Sequence, residues 1–120
     1  MIKFNFYKGR TYSQDFTITG YDEVIDDMVF TVCENIADKI YCIQKTLKNG
    51  GITIVDTGID ENGENYTTYN LTIEATDTDD MNADFDYGFD IAIKSGKKKI
   101  QVMTGTLRLN GVYSKTCNGC

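Results

Sequence analysis

Apolar and polar side chains alternate one by one along much of this chain, beginning with Ile2, Phe4 and Phe6. The same period of two returns in four later segments, at residues 15–19, 28–33, 69–74 and 87–94. Strict alternation places every second side chain on one face of an extended strand, which is then half-buried. No stretch has apolar residues at helical spacing over three turns. The pattern therefore predicts a chain built of β-strands.

Turn-forming residues separate these segments. They are Gly9-Arg10, Gly20-Tyr21-Asp22, Asn49-Gly50-Gly51, the polar loop 60–65 and Ser95-Gly96. Glycine and asparagine admit the backbone conformations that tight turns need, and short strands punctuated in this way are typical of sandwiches. We predict an all-β fold, an Ig-like antiparallel β-sandwich of about seven to eight strands, with a β-hairpin at Ser95-Gly96.

The last long apolar run changes phase along its length. Ile100 and Val102 share one face of an extended strand, whereas Leu107 and Leu109 fall on the other. One extra residue in a strand shifts the alternation by one position and restores a common face. Because glycine often marks such a site, we expect Gly105, which lies between the two pairs, to supply this β-bulge.

An acidic segment at residues 75–83 interrupts the alternation and predicts one short helical turn near 76–82. Acidic residues are favourable in the first turn of a helix, and Thr76 or Asp77 is suited to cap it. We place the β-sandwich domain at residues 1–109. The pattern fades after it, so residues 110–120 are predicted to form a C-terminal tail that is mobile or docked on a neighbouring molecule.

Composition narrows the chemistry. The chain has 120 residues, enough for one domain with its own core, and it contains no histidine. The absence of histidine removes Ser-His-Asp triads, histidine metal sites and the commonest general base. No carboxylate pair or glycine-rich phosphate loop is arranged for catalysis. We therefore predict a non-enzymatic protein with no catalytic residue and no cofactor.

The formal net charge of −6 argues against nucleic acid as a partner, because the average field of the chain repels phosphate. The only basic run, Lys97-Lys98-Lys99, follows a turn and is interpreted as solvated lysines that protect a strand edge. No run approaches the ~18 apolar residues of a membrane span, and no signal peptide pattern is visible. We predict no membrane and no nucleic-acid partner.

The four cysteines are Cys33, Cys42, Cys117 and Cys120. The last two have the C-x-x-C spacing of redox pairs and of half zinc sites. A redox pair needs a helix N-terminus, which a chain terminus does not provide, and the other two cysteines lie on predicted strands. Inert thiols, a disulfide involving the tail and a metal site stay open as interpretations, and we assign no metal ligand.

One acidic group has the oxygen ligands that calcium prefers. It consists of Asp77, Asp79, Asp80, Asp84 and Asp86. The spacing of these carboxylates does not match the EF-hand pattern, and acidic surface turns are common. We interpret the group as a polar surface segment.

Tyrosine is the residue type that points to an interface, because it buries a large area while keeping a polar tip. The chain has eight tyrosines and six phenylalanines, and the phenylalanines fall mostly on the inward faces of the predicted strands. The alternative interpretation is that the tyrosines reflect only the usual enrichment of aromatic residues in β-strands. The candidate interface residues are Tyr7, Tyr12, Tyr21 and Tyr113, together with Cys117 and Cys120 in the tail.

Several segments, read in order, resemble the N-terminal domain of phage upper baseplate proteins of the BppU type. The resemblance covers residues 5–110, and its strength lies in the order and spacing of the segments. They are 8–12 (KGRTY), 16–18 (FTI), 24–27 (VIDD), 49–54 (NGGITI), 71–73 (LTI), 76–81 (TDTDDM), 87–91 (YGFDI) and 105–109 (GTLRL).

The resemblance implies a β-sandwich and a structural role in the virion of a tailed bacteriophage. Such domains anchor a longer protein to the tail, whereas this sequence stops soon after the domain. We therefore expect a tail, baseplate, head-tail or fibre adaptor module that is assembled in the cytoplasm of the bacterial host. It would work through protein-protein interaction with other phage virion proteins and form a homo-oligomer. The alternative function is a carbohydrate-binding β-sandwich that aids adhesion to the host surface.

Overall fold

Eight β-strands and one 3-10 turn make up the computed structural model, which describes residues 2–21, 23–34, 42–79 and 81–111. The strands are β1 Ile2–Tyr7, β2 Tyr12–Thr19, β3 Asp27–Cys33, β4 Ile43–Thr46, β5 Ile52–Ile59, β6 Asn65–Ile73, β7 Phe85–Ser95 and β8 Lys98–Asn110. The all-β prediction is confirmed. The hairpin predicted at Ser95-Gly96 is also present, since β7 and β8 pair across it.

The helical turn spans Ala75–Thr78, so it begins one residue earlier and is shorter than the prediction of 76–82. Glu74 precedes the turn, and its backbone N–H donates to the carboxylate of Asp77 at 2.7 Å. Asp77 therefore holds the start of the turn from its third position, rather than capping it from outside. Thr78 is fully buried, and its hydroxyl accepts a hydrogen bond from the Gly9 N–H at 3.0 Å.

The strands form two sheets that lie against each other in a sandwich-like arrangement. One sheet has five strands in the order β1-β8-β7-β3-β4, and the other has three in the order β2-β6-β5. One pair, β1 with β8, is parallel, which departs from the antiparallel prediction. Parallel neighbours need a long connection, and here most of the chain separates the two strands. The immunoglobulin-like detail of the predicted fold stays a prediction.

The core lies between the facing sides of the two sheets, where the alternating apolar residues meet. Phe30 and Phe89 are fully buried, and the ring of Phe4 stacks on that of Phe89 with centroids 4.6 Å apart. Each large apolar side chain buried in this way contributes about 1.5–3 kcal/mol of transfer free energy. The three-stranded sheet covers these rings with further fully or nearly fully buried side chains: Ile52, Tyr69, Leu71 and Ile73.

The predicted change of phase in the last strand is present, but the prediction that Gly105 supplies the bulge is wrong. Ile91 lies opposite Met103 and Ala92 lies opposite Gln101, so Val102 is the extra residue. A Cβ atom on Gly105 would come within 2.1 Å of the Ile2 carbonyl oxygen. Glycine is therefore needed there for the close approach of β1, which is another of its roles in strands.

Candidate functional site

Three of the predicted interface tyrosines fall in the described part of the chain, and they have different environments. Tyr7 ends β1 and is 44% exposed. Tyr12 packs on the core, since its ring stacks on Phe6 with centroids 4.4 Å apart, and burial raises the pKa of its hydroxyl. The Tyr21 hydroxyl donates to the carboxylate of Glu23 at 3.3 Å. The three tyrosines therefore differ in their environments, and they are not all exposed.

The other three predicted residues, Tyr113, Cys117 and Cys120, lie outside the described residues. The two cysteines that are described differ in exposure: Cys33 is buried at the end of β3, and Cys42 is exposed just before β4. No group of three or more Cys, Asp or Glu side chains within the described ranges is arranged to hold a metal ion.

Three carboxylates of the acidic segment contact groups of the protein itself, and Asp80 lies outside the described residues. Asp77 forms an ion pair with Lys45 at 2.6 Å, and Asp86 forms one with Arg108 at 3.1 Å. The carboxylate of Asp84 accepts a hydrogen bond from the Gly111 N–H at 3.2 Å. Each of these carboxylates has a different partner within the protein, which agrees with the interpretation of this segment as a polar surface.

The outer face of the three-stranded sheet is a ladder of short polar side chains that bond to one another across β2 and β6. The hydroxyls of Thr17 and Thr68 are 2.8 Å apart, and the Asn70 amide donates to Asp15 at 2.7 Å. Cross-strand pairs of this kind stabilise a solvated sheet face by about 0.2–1 kcal/mol each. Several hydrogen-bonding groups of this face are therefore satisfied within the sheet itself.

Tyr66 belongs to the same outer face and lies flat across β5. Its hydroxyl donates to Asp56 at 3.2 Å, and the negative charge of Asp56 raises the pKa of the tyrosine. A Cβ atom on Gly58 would come within 2.8 Å of the Tyr66 hydroxyl oxygen. The glycine therefore makes room for the ring, which provides the one aromatic surface on this polar face among the described residues.

An open cleft of about 310 Å³ lies where the β4 edge meets the three-stranded sheet. Its lining residues are Lys45, Asn49, Gly50, Gly51, Thr72 and Glu74. The Lys45 ammonium is engaged by Asp77, and the Asn49 side chain accepts hydrogen bonds from the Thr46 and Gly51 N–H groups. The polar groups of the cleft are therefore used to build the junction of the two sheets.

Lys45 also protects the β4 edge. It lies opposite Phe30 in the ladder, so it points to the inner side of the sheet, where its side chain is 16% exposed. A charged residue pointing inward on a short edge strand discourages the addition of another strand, because the addition would bury the charge. The β4 edge is therefore closed to strand pairing by both its length of four residues and this lysine.

The β5 edge has the opposite character. Its eight residues include a single charged side chain, Asp56, and they pair only with β6 among the described strands. Ile54, Val55 and Ile59 are 58%, 55% and 70% exposed. A long edge strand with exposed apolar side chains is a template for pairing with another chain. This edge is the candidate interaction surface.

None of these three residues was predicted to belong to an interface. The signal in the sequence is the run of four β-branched residues from Ile52 to Val55, which is longer than alternation requires. Val55 is the extra residue of a second bulge, because Ile54 lies opposite Tyr69 and Asp56 lies opposite Thr68. The run predicts a buried strand, although Ile52 is the only one of its four residues that is buried.

Comparisons with known protein families and with curated proteins find no match to this chain. In the described ranges, no helical segment has the length or the apolar character to cross a bilayer.

Proposed function

We propose that this protein is a non-enzymatic structural component of a tailed-phage virion, a module of the tail or baseplate, or an adaptor at the head-tail junction or fibre. Its role is to make protein-protein contacts with other virion proteins and with copies of itself. The particle is assembled in the cytoplasm of the bacterial host.

The bare β5 edge carries this proposal. Ile54, Val55 and Ile59 are exposed apolar side chains on the side of β5 that no other described strand covers. Contiguous exposed apolar surface is a common mark of a protein-contact site. Assembly proteins use such edges, since main-chain hydrogen bonds supply affinity and alternate side chains supply specificity. The order of segments that resembles the baseplate domain supports the same class of function.

The proposal is tested on purified particles of the phage that encodes the chain. Mass spectrometry of particles washed in high salt is expected to recover this protein in stoichiometric amounts. Labelled antibodies with electron microscopy then assign its place along the particle. A chain that is abundant in infected cells but absent from washed particles would overturn the proposal.

A carbohydrate-binding function is the second candidate, and the outer face of the three-stranded sheet favours it. Hydroxyl, amide and carboxylate groups lie on that face beside the flat ring of Tyr66, which is the combination that sugar recognition uses. A glycan array probed with and without calcium tests this function. Binding that is lost in Tyr66→Ala and kept in Tyr7→Ala would support it, and a silent array would remove it.

A further inference from the structure

The backbone of β5 offers hydrogen-bonding groups to a partner. The Thr72 N–H donates to the Gly51 carbonyl at 3.0 Å, and the Asp60 N–H donates to the Glu64 carbonyl at 2.9 Å. In an antiparallel pair the inward-facing groups alternate along each strand. Counting from these two bonds, the N–H and C=O groups of Ile54, Thr57 and Ile59 point away from β6, toward the open edge.

A second open edge lies on β8. This strand has thirteen residues, but β1 pairs only with residues Gly105–Asn110. On that side the segment Lys98–Thr104 has no neighbouring strand among the described residues. Val102, at the bulge of this segment, is 37% exposed. Where β1 does not reach, β8 is therefore an edge of the five-stranded sheet that no described strand covers, like β5 in the other sheet.

The two open edges match in length, because each is interrupted by its bulge. On β5 the regular run beside the bulge is Asp56–Ile59, and on β8 it is Lys98–Gln101. Both runs have four residues. A bulge increases local twist and ends regular pairing, so a bulged edge accepts a short partner better than a long flat one.

The edges carry opposite charge. Beside β5 lie Asp56 and the acidic hairpin residues Asp60, Glu61 and Glu64, whereas β8 begins with the only basic run of the chain, Lys97-Lys98-Lys99. Within the same chain, the Lys98 ammonium forms an ion pair with the Glu23 carboxylate at 2.9 Å. The Lys94 carbonyl accepts from the Asp26 N–H on the β3 side, so Lys99, which lies opposite Lys94, points its N–H and C=O away from β7. In antiparallel pairing, the outward-facing groups of Ile59 and Thr57 therefore meet those of Lys99 and Gln101. The acidic hairpin then lies beside Lys97 and Lys98. Pairing of β5 with a second β5 would instead place each acidic hairpin beside a strand that contains no lysine or arginine.

We propose that β5 of one copy pairs with residues Lys98–Gln101 of β8 of a second copy, in antiparallel orientation. This inference rests on the proposed function as a protein-contact module, and it names the partner as another copy of the same chain. The contact is head-to-tail, since two different edges meet. Such contacts repeat from copy to copy and generate a ring where the rotation closes, or an open filament where it does not.

Complementary charge reversals test the pairing. In Lys97→Glu/Lys99→Glu the β8 edge becomes acidic, and in Glu61→Lys/Glu64→Lys the β5 hairpin becomes basic. Sedimentation velocity over a range of concentrations should show self-association of the unmodified chain. Each double variant alone should associate at least about tenfold more weakly, because like charges then face each other. An equimolar mixture of the two variants should recover association, because each edge again meets an edge of opposite charge.

The matched control is Lys8→Glu/Arg10→Glu, which reverses two charges two residues apart in the turn between β1 and β2. It makes the same change in net charge as the β8 variant and should leave association unchanged. Circular dichroism confirms the fold of every variant.

Three outcomes overturn the inference: an unmodified chain that stays monomeric, a mixture that does not recover, or a control that weakens association equally. A chain that is monomeric alone but present in washed particles would keep the proposed function while removing this self-pairing. Absence from the particles would remove the proposed function by a separate measurement.

Discussion

The two sheets of this protein end in edge strands, β4 and β5, that are treated in opposite ways. β4 is four residues long, and Lys45 points from it toward the inside of the sandwich, where it meets Asp77 at 2.6 Å. β5 is eight residues long, with no lysine or arginine, and three of its apolar side chains are more than half exposed. Another strand is therefore discouraged at one edge and favoured at the other.

Within β5, the exposure of an apolar side chain depends on whether the opposite sheet covers that part of the strand, and not on the residue type. Ile52 is 1% exposed, because it faces the core across from Leu71. Ile54 points to the same side of the strand but is 58% exposed, although its ladder neighbour Tyr69 is 3% exposed. The apolar core ends between these two isoleucines, and the strand continues beyond it.

The largest expected effect comes from comparing the two isoleucines directly. Ile52→Ala should lower the free energy of unfolding by about 2–4 kcal/mol, because it leaves a cavity in a packed core. Ile54→Ala should change it by less than about 0.5 kcal/mol, since an exposed side chain contributes little to a monomer. Urea denaturation at low protein concentration measures both. An Ile54→Ala variant that loses as much as Ile52→Ala would mean that the edge is covered within one chain.

Removing the charge that protects the β4 edge should lower the free energy of unfolding less than Ile52→Ala does. Lys45→Met keeps the long stem that packs against Gly51 but removes the ammonium that meets Asp77. We expect a loss of about 1 kcal/mol, between the values for exposed and fully buried ion pairs.

A double-mutant cycle with Asp77→Asn isolates that ion pair, and urea denaturation of the four proteins supplies its coupling energy. The exposed pair Lys98–Glu23 is the control, because side chains in solvent should couple more weakly. Equal coupling for the two pairs would show that the inward position of Lys45 has no energetic consequence.

The sequence predicted the strands and the buried faces because burial on one side of a sheet imposes period two on the chain. Met28, Phe30 and Val32 were expected on one face, and all three are fully buried. The phase change in β8 was also visible in the sequence, but the position of its bulge was not. An extra residue at either Gly105 or Val102 would account for the change of phase. The roles of the two residues are distinguished only by the parallel strand β1, which the tertiary fold brings close to Gly105.

The candidate interaction surface was harder to predict. The tyrosine content predicted Tyr12 as an interface residue, yet its ring packs against the core. The exposure of Ile54 and Ile59 depends on where the opposite sheet ends, which is a non-local property that no short segment encodes. A run of apolar residues in a strand cannot by itself distinguish a buried strand from a bare edge.

The smallest expected effect concerns Tyr69, the last buried side chain beside the bare part of β5. Burial raises the pKa of its hydroxyl above the ordinary value of 10.0, so the folded state holds this proton more tightly than the unfolded chain. The resulting stability is complete below pH 10 and is lost as the pH rises through the folded-state pKa, with a slope of at most about 1.4 kcal/mol per pH unit. Tyr69→Phe should therefore lose less stability than the unmodified chain between pH 8 and 10.5 in urea denaturation. An equal slope in the two proteins would show that water reaches Tyr69 from the open edge.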